Sequence, residues 1–398
     1  SKMKINKSSI FLIFCFLAFI RPDSLNLLPG VTNFYYIYRV VVVLSIFFVF
    51  LLRKTEIDKF AFIWITFEAV VIFSTTVEHG NLSYAIFQGL TITSLAFLFS
   101  IYSKRLVILL KSIYRVLSLF TIINFITIVI FPKGMYVTGV TNTASENWFL
   151  GFKNEQTAYF LPLIGLVFIL SKIEGFNKSK IAILFISILS SILIHSSTLL
   201  VGLGILLIVE FFPFIRKNSK VFNQATYFII SVVMFVAIPI LRLQNLFDFL
   251  IEGILHKSLT LTYRTDLWDR AIAAIFQHPI IGWGEQPNIV KYELYDSMSI
   301  ISAHNQFLEY TFTGGILLIL IYVAMNIMLI KRTWSIKSYE IVQIVSGLYL
   351  ALQITLIAEV FTEITIFMIY FLVWYSYELC QYPVYKKKGS FYNMRIKG

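Results

Sequence analysis

Charge is scarce in this chain. Only 14% of its 398 residues are Asp, Glu, Lys or Arg, where a soluble globular domain carries about 25%. A water-soluble fold of this size is therefore excluded. Cysteine is nearly absent as well. Cys15 and Cys380 fall in apolar runs far apart in sequence, so neither a disulfide framework nor a cysteine metal site is expected. No acidic cluster with metal-ligand spacing appears in the hydrophilic stretches, and no cofactor is implied. No internal repeat, low-complexity linker or second soluble domain interrupts the chain, so residues 1–398 read as one domain. The first apolar run lacks a small-residue cleavage site and meets Arg21-Pro22-Asp23. It reads as a retained helix, not a signal peptide.

What remains is apolar: 58% of the residues are hydrophobic. A bilayer core takes about 20 apolar residues per helix. About twelve runs fit, near 8–28, 34–52, 60–77, 82–101, 112–131, 157–173, 179–195, 198–214, 224–243, 312–330, 340–358 and 363–381. The expected fold is thus an all-α polytopic membrane protein. Its orientation follows from the basic residues, which concentrate on the cytoplasmic side of such proteins. With the N-terminus inside, 24 of the 33 Lys and Arg lie inside. They include Lys2, Lys4 and Lys7, the pairs Arg53-Lys54, Lys104-Arg105 and Arg216-Lys217, and the tail cations Lys386, Lys387, Lys388, Arg395 and Lys397. Both ends are then cytoplasmic, and one large loop, 245–311, faces out between the ninth and tenth helices. The net charge of +12 is explained by this topology and by attraction to anionic inner-leaflet lipid. Nucleic-acid binding is not expected.

The outer loop gathers the polar chemistry. Leu267, Trp268, Ala271, Ile272, Ile275 and Phe276 recur at helical spacing and predict an amphipathic helix on the membrane surface or on the bundle. Pro279 and Gly282-Trp283-Gly284 end it in a turn. A polar segment follows, and Ser302-Ala303-His304-Asn305 leads through Gly314-Gly315 into the next membrane helix.

Within this loop Arg270 has a local partner, because Asp266 precedes it by four residues on the same helical face. Arg264 has none. Its neighbour four residues on is Trp268, which can stack on a guanidinium but not neutralise it. A guanidinium fork matches phosphate oxygens, so Arg264 is an anion-binding candidate set against a headgroup anchor. His304 could take a proton from a sugar hydroxyl, with Asn305 and Glu309 orienting it or the substrate; the bland alternative is a merely polar loop histidine. His278 reads as a helix-stop residue and His256 as a loop residue. His195, at the outer end of a helix, could face the same cavity. Arg39 lies within the second helix, where buried charge suggests function and snorkelling is the alternative. Lys153 closes the loop before the sixth helix, Arg21 and Arg242 read as interfacial anchors, and Glu68 has no assigned role.

These residues resemble the O-antigen polymerase and ligase superfamily, which includes Wzy-type polysaccharide polymerases and WaaL-type ligases. The resemblance is carried by Arg264 ahead of Leu267-Trp268, by His278-Pro279-Ile280-Ile281-Gly282-Trp283-Gly284, by His304-Asn305 ahead of Gly314-Gly315-Ile316, and by Gly151-Phe152-Lys153-Asn154-Glu155. It departs from the family at Ser196-Ser197-Thr198, where many members have a Ser-Arg pair. Leu318 stands where ligases tend to have a small or hydroxylic residue, which favours a polymerase.

The resemblance implies an inverting, metal-independent glycosyl transfer at the outer face of a bacterial cytoplasmic membrane. The donor would be an undecaprenyl-diphosphate-linked oligosaccharide. Arg264, with Arg39 and Lys153, would hold the diphosphate, and His304 would serve the acceptor hydroxyl as base or positioning group. Trp268, Arg270, Asn305, Glu309 and His195 complete the expected substrate surface. A ligase of the same superfamily is the nearest alternative. A lipid-linked oligosaccharide flippase is disfavoured, because transporters bind near the midplane and are built of repeats. Binding of a chain-length regulator protein is left open.

Overall fold

The computed structural model describes residues 7–138, 145–243, 260–296 and 301–383, with backbone alone at 260–263. Lys2, Lys4, the five tail cations, His256 and residues 245–259 of the expected loop lie outside the described residues.

Helices follow one another as α1 (Lys7–Phe19), α2 (Val31–Leu52), α3 (Lys59–Val77), α4 (Leu82–Tyr102), α5 (Leu106–Ile130), α6 (Thr157–Glu174), α7 (Lys178–Leu193), α8 (Ser197–Phe211), α9 (Pro213–Lys217) and α10 (Gln224–Phe235). The second part of the chain adds α11 (Thr260–Gln277), α12 (Asn288–Leu294), α13 (Gln306–Trp334), α14 (Glu340–Thr355), α15 (Ile364–Trp374) and α16 (Ser376–Cys380). A helix stands on each apolar run of the sequence. Val31–Leu52, Lys59–Val77, Leu82–Ile130, Thr157–Glu174 and Gln306–Trp334 are long and apolar enough to cross a membrane, and five further apolar helices are shorter.

Polar side chains start these helices by accepting orphan backbone N–H groups. Asp58 accepts from the amides of Phe60 and Ala61, Asn81 from Tyr84, Asn177 from Lys180, Ser196 from Leu199, and Asn223 from Ala225 and Thr226. The first helix ends nine residues earlier than expected. Arg21-Pro22 closes it, Asp23–Leu27 forms a 3₁₀ turn, and the Ser24 amide donates to the Phe149 carbonyl.

Helices α6 and α15 are buried along nearly their whole length and form the centre of the bundle. In contrast, α2 buries only Val42, Val43, Ile46 and Phe50. Its outward face carries Phe34, Ile37, Leu44 and Phe48, all exposed, an apolar surface that lipid would cover.

A small antiparallel sheet between α5 and α6 departs from an all-helical expectation. Its strands are β1 (Tyr136–Thr138), β2 (Ser145–Trp148) and β3 (Gly151–Phe152), in the order β1-β2-β3, with Trp148 opposite Gly151. Trp148 Nε1 donates to the Phe131 carbonyl at 2.9 Å, and the Leu150 amide donates to Asn124 Oδ1 at 2.9 Å. Two- to four-residue strands are too short for an alternating pattern to register in the sequence.

Candidate functional site

The site is built on a broken helix. At Gly315, φ +60° and ψ −159° interrupt α13, which frees amides from the helical ladder. The amide of Ile316 donates instead to the Pro279 carbonyl at 2.9 Å, and that of Leu317 to the Ile280 carbonyl at 3.3 Å. Trp283 and Gly284 return the favour to the Phe312 and Thr313 carbonyls at 2.7 and 2.9 Å. A kink inside a bundle is tolerable only when such partners satisfy it. The close approach requires glycine: a Cβ at Gly315 would stand 2.3 Å from the Ile280 oxygen. The His-Pro-Ile-Ile-Gly-Trp-Gly segment is therefore a brace for α13.

That brace fixes the N-terminus of α13, and α13 in turn fixes the segment 356–363. Asn305 caps α13 by accepting from the amides of Phe307 and Leu308, and it donates to the Ile357 carbonyl at 2.9 Å. Gln306 donates its amide to the Leu356 carbonyl and accepts from the Phe361 amide. Glu359, held between these ties, comes to face His304.

Glu359 is the hub. Its Oε1 accepts from Arg264 Nη2 at 2.7 Å, from Asn154 Nδ2 at 2.7 Å and from Thr198 Oγ1 at 3.3 Å. Its Oε2 lies 3.6 Å from His304 Nδ1, a charge contact longer than a hydrogen bond. Ser196 Oγ donates to Asn154 Oδ1 at 3.0 Å and steadies that side chain. Burial would raise the Glu359 carboxyl, but His304 and Arg264 beside it outweigh burial and hold it below the ordinary value. The carboxylate is thus charged, buried and paired, while His304 remains about half exposed. His304 adopts φ +45°, a left-handed conformation uncommon for a residue with a side chain, and this sets its ring outside the helix it precedes.

The structure sorts the expected site residues. Arg264 and His304 meet on Glu359, so Arg264 does have a carboxylate partner, one supplied from 95 positions away. Trp268 is fully buried and lies under the guanidinium of Arg242, with 5.2 Å to the ring centroid, rather than under Arg264. Arg270 binds Asp266 at 3.0 Å as expected, and also the Tyr295 carbonyl and Asp296. It ties α11 to the end of α12. Asn305 is fully buried and committed to its cap. Glu309 accepts from the Ala303 amide at 2.9 Å and pairs with Lys291 at 3.3 Å, so its carboxylate is turned to α12. His195 is exposed, with Nδ1 2.7 Å from the Ile192 carbonyl, beside the Ser196–Asn154 contact. Lys153 lies over the Phe152 ring at 5.9 Å, one residue from Asn154. Arg39 instead lines a separate cavity with Arg21.

Helix α11 follows the predicted amphipathic pattern, with one exchange. Leu267, Trp268, Ala271, Ala274 and Ile275 are buried, whereas Phe276 is 75% exposed. His278 follows the helix end as expected, but its ring also contacts Glu78 at 2.8 Å and packs on Trp283.

Glu359, Asn154, Ser196 and Thr198 were not singled out as a constellation by the sequence. Asn154 stood within a recognised motif and Ser196–Thr198 at a noted departure. Glu359 had only one signal, a carboxylate between two apolar runs.

Comparison with known proteins identifies one family. Residues 182–323 match the family model Wzy_C, described as O-Antigen ligase, and this supports placement in the O-antigen polymerase/ligase superfamily that the motifs resemble. The match includes Ser196, Thr198, Arg264, His304 and both glycine motifs, and ends before Glu359. No curated protein and no solved structure matches the chain. Together with the apolar helices, the match is consistent with a multi-pass membrane protein.

Proposed function

We propose that this chain is a polysaccharide polymerase that joins undecaprenyl-diphosphate-linked repeat units by inverting glycosyl transfer at the outer face of a bacterial cytoplasmic membrane. The proposal takes the bundle as about twelve spans with both ends inside. The observation that carries it is the convergence of Arg264 and His304 on Glu359.

A carboxylate at Nδ1 favours the tautomer with its proton there, which leaves Nε2 of the exposed ring as the proton acceptor. The acceptor hydroxyl attacks the anomeric carbon from the face opposite the diphosphate. The new carbon–oxygen bond forms as the bond from the anomeric carbon to the diphosphate oxygen breaks. The electron pair leaves with the diphosphate, and the hydroxyl proton passes to His304. Arg264 stabilises the charge that develops on the leaving group, as fixed donors do in a dry site. Glu359 keeps Arg264 and His304 in register, so the cation is not free to wander toward lipid headgroups.

The family match leaves the ligase alternative beside this reading, because the donor chemistry is shared and only the acceptor differs. Purified protein incubated with lipid-linked repeat units from its own host separates the readings. A ladder of glycans supports the polymerase. Transfer only to an added acceptor makes the chain a ligase, and retained lipid binding without any transfer points to a transporter.

A further inference from the structure

A cavity borders the far end of the segment that carries Glu359, lined there by Thr362 and Glu363. It has a volume of about 210 Å³ and is lined by Arg21, Arg39, Tyr84, Gln88 and Glu363 among others; a neighbouring one of about 340 Å³ shares Arg21, Arg39, Tyr84 and Gln88. The segment joins the two sites physically. Glu359 faces Arg264, while the Thr362 carbonyl accepts from Gln88 Nε2 at 2.7 Å.

Arg21 and Arg39 are both turned into this cavity, close enough for their charges to repel. Among the described residues neither has a carboxylate within 4 Å. Arg39 donates only a long bond, 3.4 Å, to the Ala18 carbonyl and lies over the Phe87 ring; Arg21 lies over Tyr35. Holding two like charges together without a counterion costs free energy unless an anion joins them. Asp23 and Glu363 also line the cavity, but neither forms an ion pair with Arg21 or Arg39, so the two guanidinium forks keep donors to offer an anion.

The surroundings select the kind of anion. Tyr36 and Tyr84, both exposed, line the neighbouring cavity between α2 and α4. From there the exposed apolar face of α2 continues through Ile37, Val41, Leu44 and Phe48. A headgroup between the arginines would leave its chain lying along that face.

We propose that Arg21 and Arg39 bind the phosphate or diphosphate headgroup of a second polyisoprenyl lipid, separate from the one at Arg264. A protein with two such sites can hold both a donor and an acceptor that are lipid-linked. The inference deepens the proposed function, on which the identity of the lipid rests.

Full-length protein in nanodiscs of phosphatidylcholine, titrated with undecaprenyl diphosphate and read by native mass spectrometry, tests it without turnover. Wild type is expected to bind two lipids per chain, and the double variant R21M/R39M one. R264M is also expected to bind one. R39K, which keeps the charge but not the fork, should weaken one of the two sites by about tenfold. The proposal is overturned if R21M/R39M still binds two lipids, if it binds none while melting like wild type, or if wild type binds one that only R264M loses. Inorganic diphosphate supplies the second arm. If it occupies the Arg21–Arg39 site as tightly as the lipid does, the ligand is a free anion and the lipid assignment fails. A chain that shows no glycosyl transfer but loses one lipid in R21M/R39M leaves this site standing and removes the polymerase reading instead.

Discussion

Arg264 and Glu359 hold each other at 2.7 Å, and this contact joins the helix α11 to the turn between α14 and α15. Removing Glu359 takes from Arg264 the carboxylate it pairs with, and removing Arg264 leaves Glu359 with Asn154, Thr198 and the His304 contact. Loss of one partner from a buried pair typically costs about 3–5 kcal/mol, more than the pair itself contributes, and Glu359 is almost completely buried.

Glu359→Gln keeps the shape and removes the charge. It should lower the rate of glycan transfer about 100-fold, the range seen when a group that orients a catalytic side chain is lost. Assay of the purified variant with wild-type-like melting as a control checks this. An unchanged rate would show that Arg264 and His304 do not need their shared anchor.

The same carboxylate carries a pH signature. Its folded pKa lies below the ordinary value of 4.5, so the stability it contributes is fully present above that value and is lost as pH falls through the folded pKa. The difference in melting temperature between wild type and Glu359→Gln should therefore shrink as pH falls below about 4.5. A difference that stays undiminished in acid well below that value contradicts the pairing.

Gly315→Ala should destabilise the protein by about 1–3 kcal/mol or more, since a strained backbone would be added to a blocked contact. Gly204→Ala serves as the matched control, because nothing lies within 4 Å of its would-be Cβ and alanine favours a helix by about 1 kcal/mol. Thermal unfolding in detergent should separate the two in opposite directions. Equal behaviour would mean that the brace against Ile280 is not what shapes α13.

Arg270→Ala should cost less than Arg264→Ala in transfer. Arg270 is tied to Asp266 and Asp296, both largely exposed, and such pairs contribute about 0–1 kcal/mol. Rates of the two variants measured side by side test the division between a tether and a site residue. A larger loss at Arg270 reverses it.

The sequence was legible where the physics is local. Apolar runs placed the helices, the stripe from Leu267 to Ile275 placed α11, and the Asp266–Arg270 spacing foretold its ion pair. What was not legible depends on long-range geometry. Asn305 and Glu309 looked like groups for His304 because they are close in sequence, yet one caps α13 and the other turns to Lys291. Trp268 met Arg242, not Arg264, because the helix face that buries it points into the bundle. Glu359 could not be read as a hub, since Arg264, Asn154 and Thr198 reach it only after four helices have packed. The glycine motifs were visible, but their purpose, satisfying amides at the kink of α13, needed the fold.

The most direct test is glycan transfer by the purified protein from lipid-linked repeat units of its own host, compared among wild type, Arg264→Ala and His304→Ala. The account predicts a ladder of products from wild type and none from either variant, with folding intact in all three. A ladder that persists in both variants would contradict a site built from Arg264, His304 and Glu359.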